Sequence, residues 1–69
     1  MYYYEVTETE DLFAQRTAYG IAADDGRGHY AAVANISYDR AFVARLADLC
    51  TRGQLALEHL IDVVQDALL

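Results

Sequence analysis

Three carboxylates near the end of the chain, Glu58, Asp62 and Asp66, follow one another at intervals of four, and His59 stands beside the first. On an α-helix this spacing puts all three acids on one face, where like charges repel by about 0.2–0.5 kcal/mol per pair. Asp66 also falls near the negative end of the helix dipole, which disfavours an anion. The segment holds no lysine or arginine to compensate. Three chemistries fit such a line. It can be a solvated face, with arginines reaching over from elsewhere in the fold. It can be a docking surface, because clustered charge steers a basic partner. Or His59, Asp62 and Asp66, at i, i+3 and i+7, can offer one nitrogen and two oxygen donors to a metal ion. A single helix cannot complete a coordination sphere, and Glu58-His59-Leu60-Ile61-Asp62 lacks the two histidines of the zinc-protease signature.

The remaining reactive residue types read as structural. Cys50 falls within an apolar helical stripe, where a cysteine behaves as a small buried hydrophobe. Ser37 is placed to cap a helix. Gly26 and Gly28 have neither the lysine nor the directly following helix of a phosphate-binding loop. His29 and His59 have no nucleophile and orienting group that can be assigned to them, so no catalytic residue is named and the expectation is a non-enzyme without a cofactor. The six tyrosines are a different matter. With Tyr2, Tyr3 and Tyr4 consecutive, Tyr3 must face away from the core if its neighbours face it, and tyrosine suits protein interfaces because its large ring ends in a polar tip. Tyrosine also simply favours strands.

Length and charge bound these readings. A chain of 69 residues has room for one domain, 1–69, and buries only about 60% of its unfolded surface, so its stability is marginal. One cysteine permits no internal disulfide and fits a reducing compartment. Self-association then becomes the expected supplement, as a homodimer through the sheet. Eleven acids against five arginines, with no lysine, leave a net charge of −6. Binding to nucleic acid or an anionic membrane relies on clustered cations, and the arginines at 16, 27, 40, 45 and 52 are scattered singly. Neither partner is expected. The start Met1-Tyr2-Tyr3-Tyr4-Glu5 lacks the basic and apolar stretches of a signal peptide, and no apolar run would span a bilayer, so a cytoplasmic location is expected.

The elements that must position these groups follow from a change of hydrophobic period near Ser37. Tyr2, Tyr4 and Val6 alternate with Tyr3, Glu5 and Thr7, which predicts a strand over 2–9. Thr9-Glu10-Asp11 is polar enough to turn. A second strand is predicted over 12–23, with Phe13, Tyr19 and Ile21 of one parity and Gly20 marking a bulge or a close backbone approach. Asp24-Asp25-Gly26-Arg27-Gly28 is the strongest turn signal. A third strand over 29–36 puts Tyr30, Ala32, Ala34 and Ile36 on one face. The alanines of this half favour helix and work against the strand pattern.

Beyond Ser37 the period becomes helical. Ser37 or Asp39 caps a helix over 39–52 whose buried stripe is Phe42, Val43, Leu46, Leu49 and Cys50, with Gly53 as its terminating residue. Arg45, Asp48 and Arg52 lie off the stripe and can pair weakly in solvent. A second helix over 56–68 buries Leu57, Leu60, Ile61, Val64 and Leu68, with Leu55 stapled onto Leu60. The predicted fold is α+β, a three-stranded antiparallel meander followed by an antiparallel helical hairpin on one face, β-β-β-α-α.

Several short motifs in this order resemble a known family. Tyr19-Gly20-Ile21, then Asn35-Ile36-Ser37 before a helix ending in Leu49-Cys50, then Glu58-His59-Leu60-Ile61-Asp62-Val63-Val64-Gln65-Asp66, are similar to a family of very short bacterial proteins of unknown function found mainly in Gram-positive anaerobes. Gln65 stands where that pattern has glutamate, and Ala67 where it has a larger apolar residue. The resemblance covers nearly the whole chain. It implies a stand-alone cytoplasmic bacterial protein, supplies no activity, and singles out His59, Asp62 and Asp66.

The leading expectation is a small non-enzymatic protein–protein interaction module, a regulator or accessory subunit. Glu58, Asp62 and Asp66 would meet a basic partner and Tyr3 would extend the interface. The alternative is a small metal- or ligand-binding domain using His59, Asp62 and Asp66. An acidic mimic of nucleic acid is compatible with the charge alone.

Overall fold

A computed structural model describes residues 1–69 and contains three strands, β1 (Tyr3–Asp11), β2 (Arg16–Asp24) and β3 (Tyr30–Ser37), followed by α1 (Arg40–Arg52), a 3-10 turn (Leu57–His59) and α2 (Leu60–Leu68). The strands form one antiparallel sheet in the order β1-β2-β3, and the fold is α+β, β-β-β-α-α. Both helices lie on one face: α1 rests chiefly on β1 and β2, and α2 on β3.

The core is the layer between helices and sheet. Ile21 and Ala23 from β2, Ile36 from β3, Val43, Leu46, Ala47 and Cys50 from α1, and Leu60 and Val64 from α2 are all buried there, with Tyr4 and Val6 of β1 packed against them. No buried polar side-chain atom lacks a hydrogen-bond partner. The period-two pattern of Tyr2, Tyr4 and Val6 therefore aims inward, and Tyr3 and Glu5 point to the other, uncovered face.

The β1–β2 turn differs from the expected one. β1 continues through Thr9-Glu10-Asp11, because Asp11 Oδ1 accepts the N–H groups of Phe13 and Ala14, both at 3.1 Å. The chain reverses over Leu12–Gln15, with Gln15 in the left-handed region at φ 53°. Phe13, expected in a strand, sits fully exposed in this loop. The β2–β3 turn falls where the glycines predict. Asp24 Oδ1 accepts from Gly26 N–H, Asp25 Oδ1 accepts from Arg27 and His29 N–H, and Gly26 and Gly28 take φ of 76° and 98°.

Gly20 marks both a bulge and a close approach. The β2–β3 register shifts between Tyr19 and Ile21, with extra residues on β3, where Asn35 adopts φ 57°. This reverses the parity of β3. Tyr30, Ala32 and Ala34 remain exposed on the open face, whereas Ile36 turns into the core and does not share their face.

Asp39 is the N-cap of α1, its Oδ1 accepting from Phe42 N–H, while Ser37 Oγ accepts from Asp39 N–H. The helix ends one residue later than expected. Gly53 keeps a right-handed φ of −83°, and Gln54 takes the left-handed position at φ 47°. Leu55 N–H bonds to Cys50 carbonyl and Gln54 N–H to Thr51 carbonyl, the pattern of a Schellman ending. Gln54 tolerates this place because its side chain is used: Oε1 accepts from Tyr2 N–H, and Nε2 donates to the Tyr2 and Thr51 carbonyls.

The second helix is shorter than its pattern suggests. Its first turn is 3-10, and only nine residues are α-helical, which narrows the buried stripe to Leu60 and Val64, with Leu57 and Val63 half-buried. Ile61, Leu68 and, on α1, Leu49 were expected to be buried and instead stay more than half exposed. An apolar hollow of about 170 Å³, lined by Leu46, Leu49, Cys50, Gly53, Leu55 and Val63, opens where the two helices diverge.

Candidate functional site

The acid line divides where the 3-10 turn meets α2. Asp62 and Asp66 share one face of the α-helix, but Glu58 lies in the tighter turn, where each residue advances about 120° instead of 100°. All three are exposed. His59 Nε2 lies 3.7 Å from Glu58 Oε1, and both side chains face solvent. No arginine reaches over: the only arginine paired with a carboxylate is Arg52, whose guanidinium sits 3.0 Å from Asp48 on α1. Asp62 and Asp66 have no hydrogen-bond or ion-pair partner within the chain. Arg45, expected to join Asp48, makes no such pair.

His59, Asp62 and Asp66 do not converge, and no three histidine, cysteine, aspartate or glutamate side chains come together in a way that could hold a metal ion. The other histidine belongs to a different neighbourhood. His29 Nδ1 lies 2.5 Å from Asp25 Oδ2, and with Tyr2 and Glu58 this pair lines an open hollow of about 270 Å³ at one end of the sheet. Burial pushes the Asp25 carboxyl up, but the N–H groups of Arg27 and His29 and the imidazole outweigh it and hold Asp25 below the usual aspartate range. The signal for this pair was present as an aspartate and a histidine four residues apart across a glycine turn.

At the other end, Tyr38 O–H donates to Asp11 Oδ2 at 2.6 Å, and the Arg16 guanidinium lies 4.3 Å from the centre of the Tyr38 ring. The Tyr38 hydrogen bond, with help from the Ala14 N–H, lowers the Asp11 carboxyl, and the same bond raises the Tyr38 phenol. Arg16 and Asp11 face each other across β1 and β2, so this cluster closes the hairpin. Cys50 is buried beneath α1, and desolvation pushes its thiol up, away from the reactive thiolate. Tyr4 O–H donates to the Leu55 carbonyl, tying β1 to the segment between the helices. Burial, then Cys50 and Tyr2, raise the Tyr4 phenol.

Tyr3 is 54% exposed on the open face. The cross-strand register puts it in one row with Asp24 on β2 and Tyr30 on β3, and the next row is Glu5, Ala22 and Ala32. Ala18 and Ala22 are each only 3% exposed although no helix covers them, because larger side chains on the flanking strands overhang them. A hollow of about 180 Å³ lies over Ala22, lined by Tyr3, Glu5, Asp24 and Tyr30 among others. Tyr30 and Asp24 were not singled out from the sequence, since nothing in their own segment reveals which residues of β1 lie opposite. No helix of the fold is long and apolar enough to cross a membrane.

The model of a family of unknown function, DUF6514, matches residues 1–69, and the chain belongs to that family. No curated protein and no solved structure matches it.

Proposed function

We propose that this member of a family of unknown function is a small, non-enzymatic, cytoplasmic protein–protein interaction module, a regulator or accessory subunit that meets a basic partner. The observation that carries the reading is the absence of any internal cation for Asp62 and Asp66. Two like charges four residues apart destabilise their own helix, and Asp66 adds an unfavourable interaction with the helix end. Nothing in the fold offsets this cost. A cationic surface on another molecule would, and the net charge of −6 steers such a molecule toward the domain. Glu58 and Tyr3 widen the contact on adjoining surfaces.

Self-association supplements the small core, and the charge distribution favours β3 as its edge. β1 carries Glu5, Glu8, Glu10 and Asp11, which would repel a second copy, whereas β3 carries no charge from Tyr30 to Ser37. Sedimentation of the parent and of an Ala34→Lys variant checks this: the parent dimerises with concentration and the variant stays monomeric.

The interaction reading is tested by affinity capture from native cells, comparing the parent with a Glu58→Gln, Asp62→Asn, Asp66→Asn variant. Captured partners are then purified and titrated calorimetrically in low and high salt. A basic partner that binds the parent, weakens with salt and is lost with the variant is the expected result. If neutralisation leaves every partner bound, the reading is wrong.

A further inference from the structure

We propose that the open face of the sheet holds a binding cleft for an arginine side chain of a protein partner, with the guanidinium seated between Tyr3 and Tyr30 above Ala22 and neutralised by Glu5 and Asp24. This rests on the interaction reading above and names a second, chemically specific contact away from α2. Tyr3, Asp24 and Tyr30 occupy one cross-strand row, on three successive strands. Two strand spacings set the tyrosine backbones about 10 Å apart, so a cation midway lies within the roughly 6 Å over which an aromatic face attracts it. Tyr3 is also steadied from behind, since a Cβ placed on Gly26 would sit 3.5 Å from Tyr3 Cε2.

The floor and walls select the ligand. Ala22 removes any side chain that would fill the space between the rings, leaving the hollow of about 180 Å³. Asp24 Oδ1 is engaged by the Gly26 N–H, which holds the carboxylate in place and leaves Oδ2 for a ligand. Neither Glu5 nor Asp24 forms an ion pair within the chain. An anion would be repelled by both carboxylates, and an apolar group would desolvate them without a partner. A guanidinium satisfies every wall at once: it is flat enough to stack on the rings, and its fork of donors reaches two acceptors. An ammonium group is a more strongly hydrated point charge and cannot stack in this way. The cleft faces out of the sheet, whereas the β3 edge proposed for self-association lies in its plane.

The test is an NMR titration of the full chain with a blocked Gly-Arg-Arg-Gly peptide and, separately, its lysine counterpart. The arginine peptide is expected to give saturable shifts centred on Tyr3, Glu5, Ala22 and Tyr30, with the lysine peptide binding at least about fivefold more weakly. Replacing both tyrosines (Tyr3→Leu, Tyr30→Leu) is expected to weaken the arginine peptide about tenfold. Glu5→Gln with Asp24→Asn is expected to do the same and keeps the acceptor for Gly26 N–H. Unchanged amide shifts at Val43 and Leu46 verify that each variant is folded. Shifts confined to Glu58–Asp66 would overturn the cleft while leaving the acidic helix as the docking surface. Equal binding of both peptides, or binding indifferent to the tyrosines, would overturn it as mere charge attraction. No binding of either peptide would overturn it too, and the capture experiment with the acid-neutralised variant then decides the broader reading separately.

Discussion

Replacing Gly20 with alanine should cost the fold about 2–3 kcal/mol, the upper part of the range for an overpacked site. A Cβ at this position would lie under 3.0 Å from the Val33 carbonyl oxygen, 2.9 Å from Ala34 Cα and 3.0 Å from Thr7 Oγ1. An unforced carbon–oxygen contact needs about 3.3 Å or more. Thr7 can rotate its hydroxyl away. Val33 and Ala34 present backbone, so β3 must retreat from β2 where the bulge has already interrupted their register. For a domain of this size each kcal/mol moves the melting temperature by about 4–8 °C, which gives a fall of about 10–20 °C. Circular dichroism melts and urea titrations of the parent, Gly20→Ala and Gly28→Ala measure it. Gly28 is the control, since nothing lies within 4 Å of its Cβ position and only its φ of 98° is unfavourable, at about 1 kcal/mol. A Gly20→Ala protein that melts within a few degrees of the parent, or above Gly28→Ala, would refute the close approach of β3.

Tyr4→Phe removes the donor to the half-buried Leu55 carbonyl and should cost about 1–2 kcal/mol, read as a lower urea midpoint with unchanged slope. Gln54→Gly relieves a left-handed non-glycine residue but cuts the side-chain ties to Tyr2; the melting temperature should move little, while hydrogen exchange at the start of β1 should accelerate. Asp66→Asn removes a repulsion with Asp62 and an anion at a helix C-terminus, and should raise the melting temperature by about 2–4 °C in low salt and less in high salt. Asp11 and Asp25 have carboxyls held below the usual range, so their stabilisation is complete above the unfolded value of about 3.9 and is lost as pH falls through the lower folded values. Urea midpoints should therefore drop below about pH 4, and an Asp11→Asn, Asp25→Asn variant should show a shallower decline.

The features legible in the sequence are those whose cause lies within a few residues. The change of period at Ser37, the inward set of Tyr4 and Val6, the Asp39 cap and the glycine turn all arise from local backbone preference or one-sided burial. Together they are enough to specify β-β-β-α-α. The exposed carboxylates of α2 were visible for the same reason. Misplaced features depend on partners far along the chain. Asp11 reads as a turn residue, yet its carboxylate organises the loop that follows, so β1 runs two residues beyond its predicted end at Thr9. Leu49, Ile61 and Leu68 fit the helical stripes but remain exposed, because a three-stranded sheet is too narrow to cover every apolar position of two helices.

Tertiary structure alone decided three matters. The β2–β3 bulge sends Ile36 inward and leaves Tyr30 outside, a reversal of parity that depends on which backbone groups of two strands pair. That same register brings Tyr3, Glu5, Asp24 and Tyr30 to one hollow from three separate segments. The arginines stay away from Asp62 and Asp66, because their positions follow from the packing of other elements. Spacing along one helix determines that its charges stand together; only the folded arrangement of the whole chain determines whether anything answers them.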